Sequence, residues 1–348
     1  MVSMKEVALN AGVSVATVSN VITGKRSVSE NVRRKVLDSI EQMNYQVNLV
    51  ARGLKTQRTN TIGVILPDIT KLFFQKVIIG ILEVASLNGY RINILSSSYD
   101  HDTERLLINM LKASCVDGII LDSCVSIDRA RAWADSLEGK GGVMPPVVSL
   151  ESRLFSDRLS SITMDNALYS GQITQHLIDG GRRKILYVSG PLHIEHERAR
   201  FDGYRNCLLK NGIGPDPVLQ KSGTYLSESG YNAVMEALNE NVRFDAVQAS
   251  NDQAAIGALK ILKERGFRVP DDVAISGFDN LFPSTLVSPA ITTVDVPNYE
   301  MGAAAMRELL DRIEHPDAPP KAHVLDARII VRASTVKDAT SQWDLTNW

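Results

Sequence analysis

Residues 3 to 22 read Ser3-Met-Lys-Glu-Val-Ala-Leu-Asn-Ala-Gly-Val-Ser-Val-Ala-Thr-Val-Ser-Asn-Val-Ile22. Ser3 followed by Glu6 is a capping box, which predicts a helix from Met4. Val7, Ala8 and Ala11 give that helix its apolar face. Gly12 ends it, because glycine adopts the left-handed conformation that a tight turn needs. Ser14 can cap a second helix starting at Val15. Val18, Val21 and Ile22 fall on one side of it at i, i+3 and i+4. Val15, Ala16, Thr17, Ser19 and Asn20 remain on or near the other. Two short helices joined by a glycine turn form a helix-turn-helix. The outward residues are small and polar, which suits a helix with its N-terminal end against base edges in the major groove. A helical hairpin in an ordinary small bundle is the competing reading. Against it stand the small Ala8 at the helix crossing and the absence of Lys/Glu pairs on the outer face of the second helix.

Working outward, Ser29 predicts a capped third helix with Val32, Val36, Leu37 and Ile40 inward. Tyr45, Asn48 and Val50-Ala-Arg-Gly-Leu54 follow. At this point the chain resembles the LacI family of bacterial transcriptional repressors. The matching residues are Val-Ala-x-x-Ala-Gly-Val-Ser-x-Ala-Thr-Val-Ser from 7 to 19, Val-Ser-Glu from 28 to 30 and Asn-x-Val-Ala-Arg-Gly-Leu from 48 to 54. The resemblance extends to about Val336. It implies that the last of these segments is a hinge helix entering the minor groove, with Leu54 as a wedge that opens a base step. The candidate DNA contacts are then Ser3, Val15, Ala16, Thr17, Ser19 and Asn20 in the head, and Asn48, Ala51, Arg52 and Leu54 in the hinge. Many members have arginine where this chain has Asn20. Arginine favours guanine and asparagine favours adenine, so the DNA site should differ at that base pair.

Composition agrees with this division. Hydrophobic residues make up 44% and charged residues 22% of the 348, which is ordinary for a globular protein and excludes a disordered chain. Net charge is −2 but uneven. Residues 1–60 carry nine Lys or Arg against four Asp or Glu, and the remainder carries 29 against 36. A basic head on an acidic body suits phosphate binding by the head alone. Cys115, Cys124 and Cys207 form neither a disulfide framework nor a CxxC metal site, which points to a reducing cytoplasm. No signal-like apolar core and no membrane-length apolar run is present.

From Thr61 short apolar runs alternate with amphipathic stretches. The runs are Ile62–Leu66, Ile92–Leu95, Gly118–Leu121, Val147–Leu150, Ile185–Val188, Ala246–Ala249 and Val273–Ser276. Amphipathic segments between them include Lys76–Ser86, Glu104–Lys112, Ser170–Ile178, Arg200–Lys210 and Gln253–Arg265. This alternation predicts parallel sheets with helices on both faces. So many units predict two doubly wound lobes, with a break near Thr163–Asn166 and a return crossing at Ile291–Pro297. The expected fold is thus an all-α helix-turn-helix DNA-binding head with a hinge helix, and an α/β two-lobed body. The resemblance makes that body periplasmic-binding-protein-like, on Ile62-Gly-Val-Ile-Leu-Pro-Asp68, Asp117-Gly-Ile-Ile-Leu121, Asp165-Asn166, Ser250-Asn-Asp-Gln253, Val269-Pro-Asp-Asp-Val273, Gly277-Phe-Asp-Asn280 and Thr292-Thr-Val294. Expected bounds are 1–46 for the head, 47–60 for the hinge, and 61–338 for an effector-binding and dimerisation domain. Within it the N-lobe covers 61–164 and 296–324, and the C-lobe 166–293 and 326–338. A tail of 339–348 follows, containing Trp343 and Trp348.

Open parallel sheets bind ligands beyond their strand C-termini. Asp68, Glu151, Asn251, Asp252 and Asp279 follow such ends, and Arg200 is read as opening a helix after Ile185–Ser189. Carboxylates, an amide and a guanidinium suit a polyhydroxylated ligand, whose neighbouring hydroxyls each can hold bidentately. The resemblance implies effector contacts at Phe74, Arg200, Tyr225, Asn251 and Asp279, with Glu151 at an acidic position used by some members. Asp68 and Asp252 read instead as turn or helix caps, and Phe73 equally as core. His193-Ile-Glu-His196-Glu197 reads first as solvated loop, second as a ligand contact from His196 and last as a metal cluster, since HExxH order is missing. No G-x-S-x-G, P-loop or G-x-G-x-x-G occurs, and no nucleophile–base set is visible.

The expectation is a cytoplasmic, homodimeric DNA-binding regulator, most simply a repressor. It binds a palindromic operator and a small-molecule effector, a sugar or sugar derivative, with no metal, cofactor or membrane partner. A nucleobase or nucleoside co-repressor on the same fold, a non-regulatory sugar-binding protein and a sugar-modifying enzyme are the alternatives.

Overall fold

The computed structural model describes residues 2–23, 26–45, 58–130, 132–133, 144–153 and 159–339. The chain divides into two compact units, Met1–Asn60 and Thr61–Trp348.

In the first unit α1 spans Met4–Ala11, α2 Val15–Thr23 and α3 Glu30–Gln42. The capping box is present. Ser3 Oγ accepts from the Glu6 amide at 3.3 Å, and Glu6 Oε2 accepts from the Ser3 amide at 2.7 Å. Gly12 has a φ of 64°, and the Val13 amide folds back to the Ala8 carbonyl at 3.0 Å. Ser14 Oγ caps α2 by accepting from the Thr17 amide at 3.1 Å. Val7, Ala8, Val18 and Val36 form the buried centre, with Val21, Ile22, Ile40, Met43 and Tyr45 packed around it.

Two details of α3 differ from expectation. Ser29 holds the N-cap position but its side chain makes no capping bond. Leu37 is 48% exposed, while Ser39 is buried and donates its hydroxyl to the Val7 carbonyl at 3.2 Å. The inward stripe runs 32, 36, 39–40 and 43, so Leu37 lies one helical step to its side. The hinge calls at Asn48, Ala51, Arg52 and Leu54 fall outside the described residues, as do Trp343 and Trp348.

The second unit is built on two main parallel sheets. The first has strands β1 (Thr61–Leu66), β2 (Arg91–Ser96), β3 (Gly118–Asp122), β4 (Val147–Leu150), β5 (Ser160–Met164) and β11 (Ala322–Leu325), in the order β11-β5-β4-β3-β1-β2. The second has β6 (Ile185–Ser189), β7 (Gln220–Ser222), β8 (Ala246–Ala249) and β9 (Ala274–Ser276), in the order β7-β6-β8-β9. A short antiparallel pair, β10 (Thr293–Asp295) and β12 (Arg328–Ile330), forms its own small sheet, joined to the end of β9 by a Ser276–Thr292 bridge.

Among the described residues, seven helices of more than ten residues cover these sheets: α4 (Leu72–Leu87), α5 (His101–Ala113), α6 (Asn166–Asp179), α7 (Glu195–Lys210), α8 (Ser227–Asn239), α9 (Asp252–Glu264) and α10 (Asn298–Glu314). Along β1 the side chains alternate. Ile62, Val64 and Leu66 join the core with Val77 and Ile81 of α4 and Met306 of α10. Ile65 joins Ile108 and Leu111 of α5 on the other face. The second sheet is covered likewise, by α8 and α9 through Val234 and Ala258, and by α6 and α7 through Leu177 and Tyr204. Each sheet is therefore doubly wound. Its strand order reverses beside its first strand, at β1/β3 and at β6/β8, where a crevice opens beyond the strand ends.

β5 is a strand that hydropathy conceals. Ser160-Ser-Ile-Thr-Met164 is buried throughout, and the hydroxyls of Ser160 and Thr163 find partners within the sheet region. Ser160 Oγ donates to Glu308 Oε1 at 2.7 Å and accepts from the Lys321 amide at 3.0 Å. No described helix is long and apolar enough to cross a membrane.

Candidate effector cleft and helix-turn-helix surface

The strand ends of both main sheets converge on one cavity of about 620 Å³, counting the space at its mouth. Phe74, Glu151, His196, Arg200, Tyr225, Asn251 and Asp279 all line it. Phe73, read equally as a ligand face or as core, lines it too, and so do Lys71, Tyr99, Asp122 and Gln253, which the sequence reading did not assign to the site.

Arg200 is the hub. It lies in the second turn of α7 and is only 4% exposed. The helix starts at Glu195, so Arg200 does not open it as expected. Its Nε donates to Asn166 Oδ1 at 2.8 Å and its Nη1 to the Ser250 carbonyl at 2.8 Å. The carboxylates of Asp279 and Glu151 stand at 3.5 and 3.9 Å from its nitrogens. Its guanidinium lies 3.8 Å from the centre of the Phe278 ring. Five contacts from four separate segments fix the planar fork in one orientation.

The same helix start corrects the reading of His193–Glu197 as solvated loop. Ile194 and Glu197 are buried, and His196 sits in the first turn of α7, where Nε2 pairs with the Tyr225 hydroxyl at 3.2 Å. Burial and the nearby Arg200 charge push the His196 imidazole down to about 3, so it is neutral. Tyr225 packs against Gly190, where any Cβ would fall 2.2 Å from the ring. Among the described residues no group of three His, Cys, Asp or Glu could hold a metal ion.

Asn251 lines the cleft but is also structural. Its Oδ1 caps α9 by accepting from the Ala254 amide at 2.9 Å, and its Nδ2 donates to the Tyr225 carbonyl at 3.0 Å. Asp68 makes the expected turn, accepting from the Thr70 amide and hydroxyl at 2.9 and 2.6 Å. Asp252 is not the cap of α9. It is buried at the first helical position and ties down the return crossing, accepting from the Leu281 amide at 2.7 Å and the Thr293 hydroxyl at 2.6 Å. One rim of the cleft is tied across: Glu195 of α7 accepts from the Ser152 hydroxyl at 2.6 Å and the Arg153 amide at 2.9 Å, just beyond β4.

Four lining residues have left-handed backbones: Tyr99 at φ 58°, Glu151 at 58°, Tyr225 at 65° and Asp279 at 97°. Such conformations cost a side-chain-bearing residue of order 1–3 kcal/mol and collect at functional sites. Here each follows a strand, and the sharp turn directs the side chain into the crevice instead of onward along the chain. This is the signal that sequence reading misses, because none of the four is glycine.

The buried carboxyls carry a stability consequence. Burial pushes Glu151 up to about 7 and Asp279 up to about 6, with Arg200 pulling each back down. A group raised on folding stabilises fully below its unfolded value, near 4 for these acids, and that contribution is lost as pH rises through the folded value. The ligand-free body should therefore lose thermal stability between about pH 5 and 8, and Glu151→Gln should flatten the decline. Unfolding midpoints across that range check this, and equal slopes for both proteins would contradict it.

On the head, Val15 is 40% exposed, Ala16 is exposed, and Thr17, Ser19 and Asn20 are part-exposed. The Thr17 hydroxyl pairs with Ser14 Oγ at 2.8 Å, which stiffens the start of α2. Ser3 is exposed, with its hydroxyl engaged by Glu6 at 2.8 Å.

Comparison with known proteins agrees with both halves of this layout. Residues 3–48 match the family described as bacterial regulatory proteins, lacI family, and residues 174–335 match a periplasmic binding protein-like domain. The HTH-type transcriptional regulator RegA of Clostridium saccharobutylicum is 35% identical over 96% of this chain and 99% of its own. Catabolite control protein A of Priestia megaterium is 35% identical over 96% and 99%. Among solved structures, the lac repressor dimer bound to operator and the anti-inducer ONPF has a TM-score of 0.85 at 26% identity, covering 96% of this chain and 99% of that one. A complex of the transcriptional regulator CelR with cellobiose has a TM-score of 0.72 at 29% identity, covering 96% and 100%. The chain is a DNA-binding transcription regulator and not an enzyme, and it belongs to the lacI family of bacterial regulatory proteins.

Proposed function

We propose that this regulator is a cytoplasmic, homodimeric repressor whose affinity for a palindromic operator is set by a small polyhydroxylated ligand in the cleft. The observation that carries the ligand is the convergence of Arg200, Asp279, Glu151 and Asn251 on one cavity shared by both sheets. A guanidinium that only donates stands beside carboxylates that only accept, and this pairing grips adjacent hydroxyls. The solved relatives with operator and with cellobiose lend support to both partners. A ligand touching both sheets favours one relative lobe orientation. By linkage, that preference is read at the DNA if the hinge segments of the dimer feel it.

The experiment is selection of duplexes from a random pool by the full chain, followed by a thermal-shift screen of sugars, nucleosides and nucleobases. An enriched palindrome and a stabilising sugar are expected. No enriched sequence would remove the operator, and stabilisation by nucleobases alone would replace the sugar.

The hinge makes a separate prediction. Asn48 can cap a short helix that Gly53 weakens, so the segment should gain order on DNA. Leu54→Ala should weaken operator binding and reduce DNA bending without unfolding the head, because the lost contact lies in a kinked base step. Unchanged affinity and bending would remove Leu54 as the wedge.

A further inference from the structure

The cleft holds more acceptor capacity than the protein itself uses. Asp122 at the end of β3, Glu151 after β4 and Asp279 after β9 all face the cavity. Oε1 of Glu151 is buried and accepts no hydrogen bond, and Oδ1 of Asp279 is buried with only the Arg200 guanidinium at 3.5 Å, in residues only 5 and 6% exposed. Arg200 stands within ion-pair reach of both, yet its guanidinium already donates to Asn166 and Ser250. Asp122 is buried among other acids: the charges that act on it are Glu151 and Glu104. Lys71 also lines the cavity, but its ammonium lies 3.9 Å from Asp68, its partner in an ion pair. Three buried carboxyl groups thus share the cleft with one guanidinium already engaged by the protein; burial raises all three, so a cation placed among them would be needed to hold them ionised together.

A buried carboxylate without donors is costly, and a ligand that supplies them recovers that cost. A neutral hydroxyl supplies one donor and no charge, whereas an ammonium supplies three donors and a positive charge. We propose that the ligand of this cleft is an amino sugar, a polyhydroxylated ring bearing one protonated amine, with the ammonium against Asp122 and Glu151 and neighbouring hydroxyls on Arg200 and Asp279. The inference rests on the reading of the cleft as a polyol site. The same wall of carboxylates disfavours a sugar phosphate, whose negative charge would face three acids.

The test is calorimetric titration of the full chain near neutral pH with glucosamine, galactosamine and mannosamine, their parent hexoses, and the corresponding hexose phosphates. One hexosamine is expected to bind at least about tenfold more tightly than its parent, with the phosphates weakest. The ratio of hexosamine to parent affinity should fall towards one in Glu151→Gln and in Asp122→Asn. A parent hexose or a hexose phosphate that binds as tightly as its hexosamine would overturn the amine and leave the polyol reading standing. An advantage kept in both variants would also overturn it. If the wild-type chain binds no member of the panel, the polyol reading falls and the amine with it.

Discussion

Arg200→Ala is expected to abolish ligand binding and to lower the thermal stability of the body together. Arg200 donates to Asn166 and to the Ser250 carbonyl and stands beside two buried carboxylates. Removing it leaves Glu151 and Asp279 without a counter-charge, and breaking a buried pair from one side costs roughly 3–5 kcal/mol. Because that loss affects folding as well as binding, Asp279→Asn is the sharper companion. It keeps the shape and removes the charge and one acceptor. Ligand affinity should then fall at least about tenfold, while the body stays folded and operator binding without ligand persists. Calorimetry with the ligand, beside thermal unfolding and operator titration, separates these effects. Wild-type affinity in Asp279→Asn would place the ligand elsewhere.

Asn20→Arg is expected to change which base pair the head prefers. Asn20 is part-exposed on α2, beyond a helix start that Ser14 and Thr17 hold rigid. Its amide matches the N6/N7 edge of adenine, whereas arginine matches O6/N7 of guanine, and a good bidentate pair discriminates by about 1–3 kcal/mol. In a palindromic site the change acts once per half-site, so the preference compounds. Selection from random duplexes by both proteins should yield logos that differ at one symmetric pair of positions. Identical logos would show that Asn20 reads no base.

The head was legible almost residue by residue, because its signals are local. A capping box, a glycine at the turn and a cap on the next helix each act within four residues, and all three are in place. Leu37 was misread because apolar identity alone does not fix its angle on α3, where Ser39 turns inward to the Val7 carbonyl instead. In the body the apolar strands were visible and β5 was not, since Ser160 and Thr163 are buried through hydrogen bonds that only the tertiary fold supplies. Of the cleft, the residues carried by resemblance all line the cavity. Asp122 ends a strand that reads as plain core, and Lys71 precedes a helix without any motif, so neither announced itself. The left-handed turns at Tyr99, Glu151, Tyr225 and Asp279 were illegible for the same reason: side-chain-bearing residues adopt that conformation only where the surrounding fold compels it.

The central claim is that a ligand in the cleft sets the affinity of the head for DNA. The most direct measurement is fluorescence anisotropy of a labelled operator duplex, chosen by selection, titrated with the full chain with and without saturating ligand. Wild type and Asp279→Asn are compared side by side. The account predicts that both bind the operator, that ligand shifts the operator affinity of wild type, and that the same ligand concentration leaves the variant unmoved. Equal operator affinity for wild type with and without saturating ligand would contradict it.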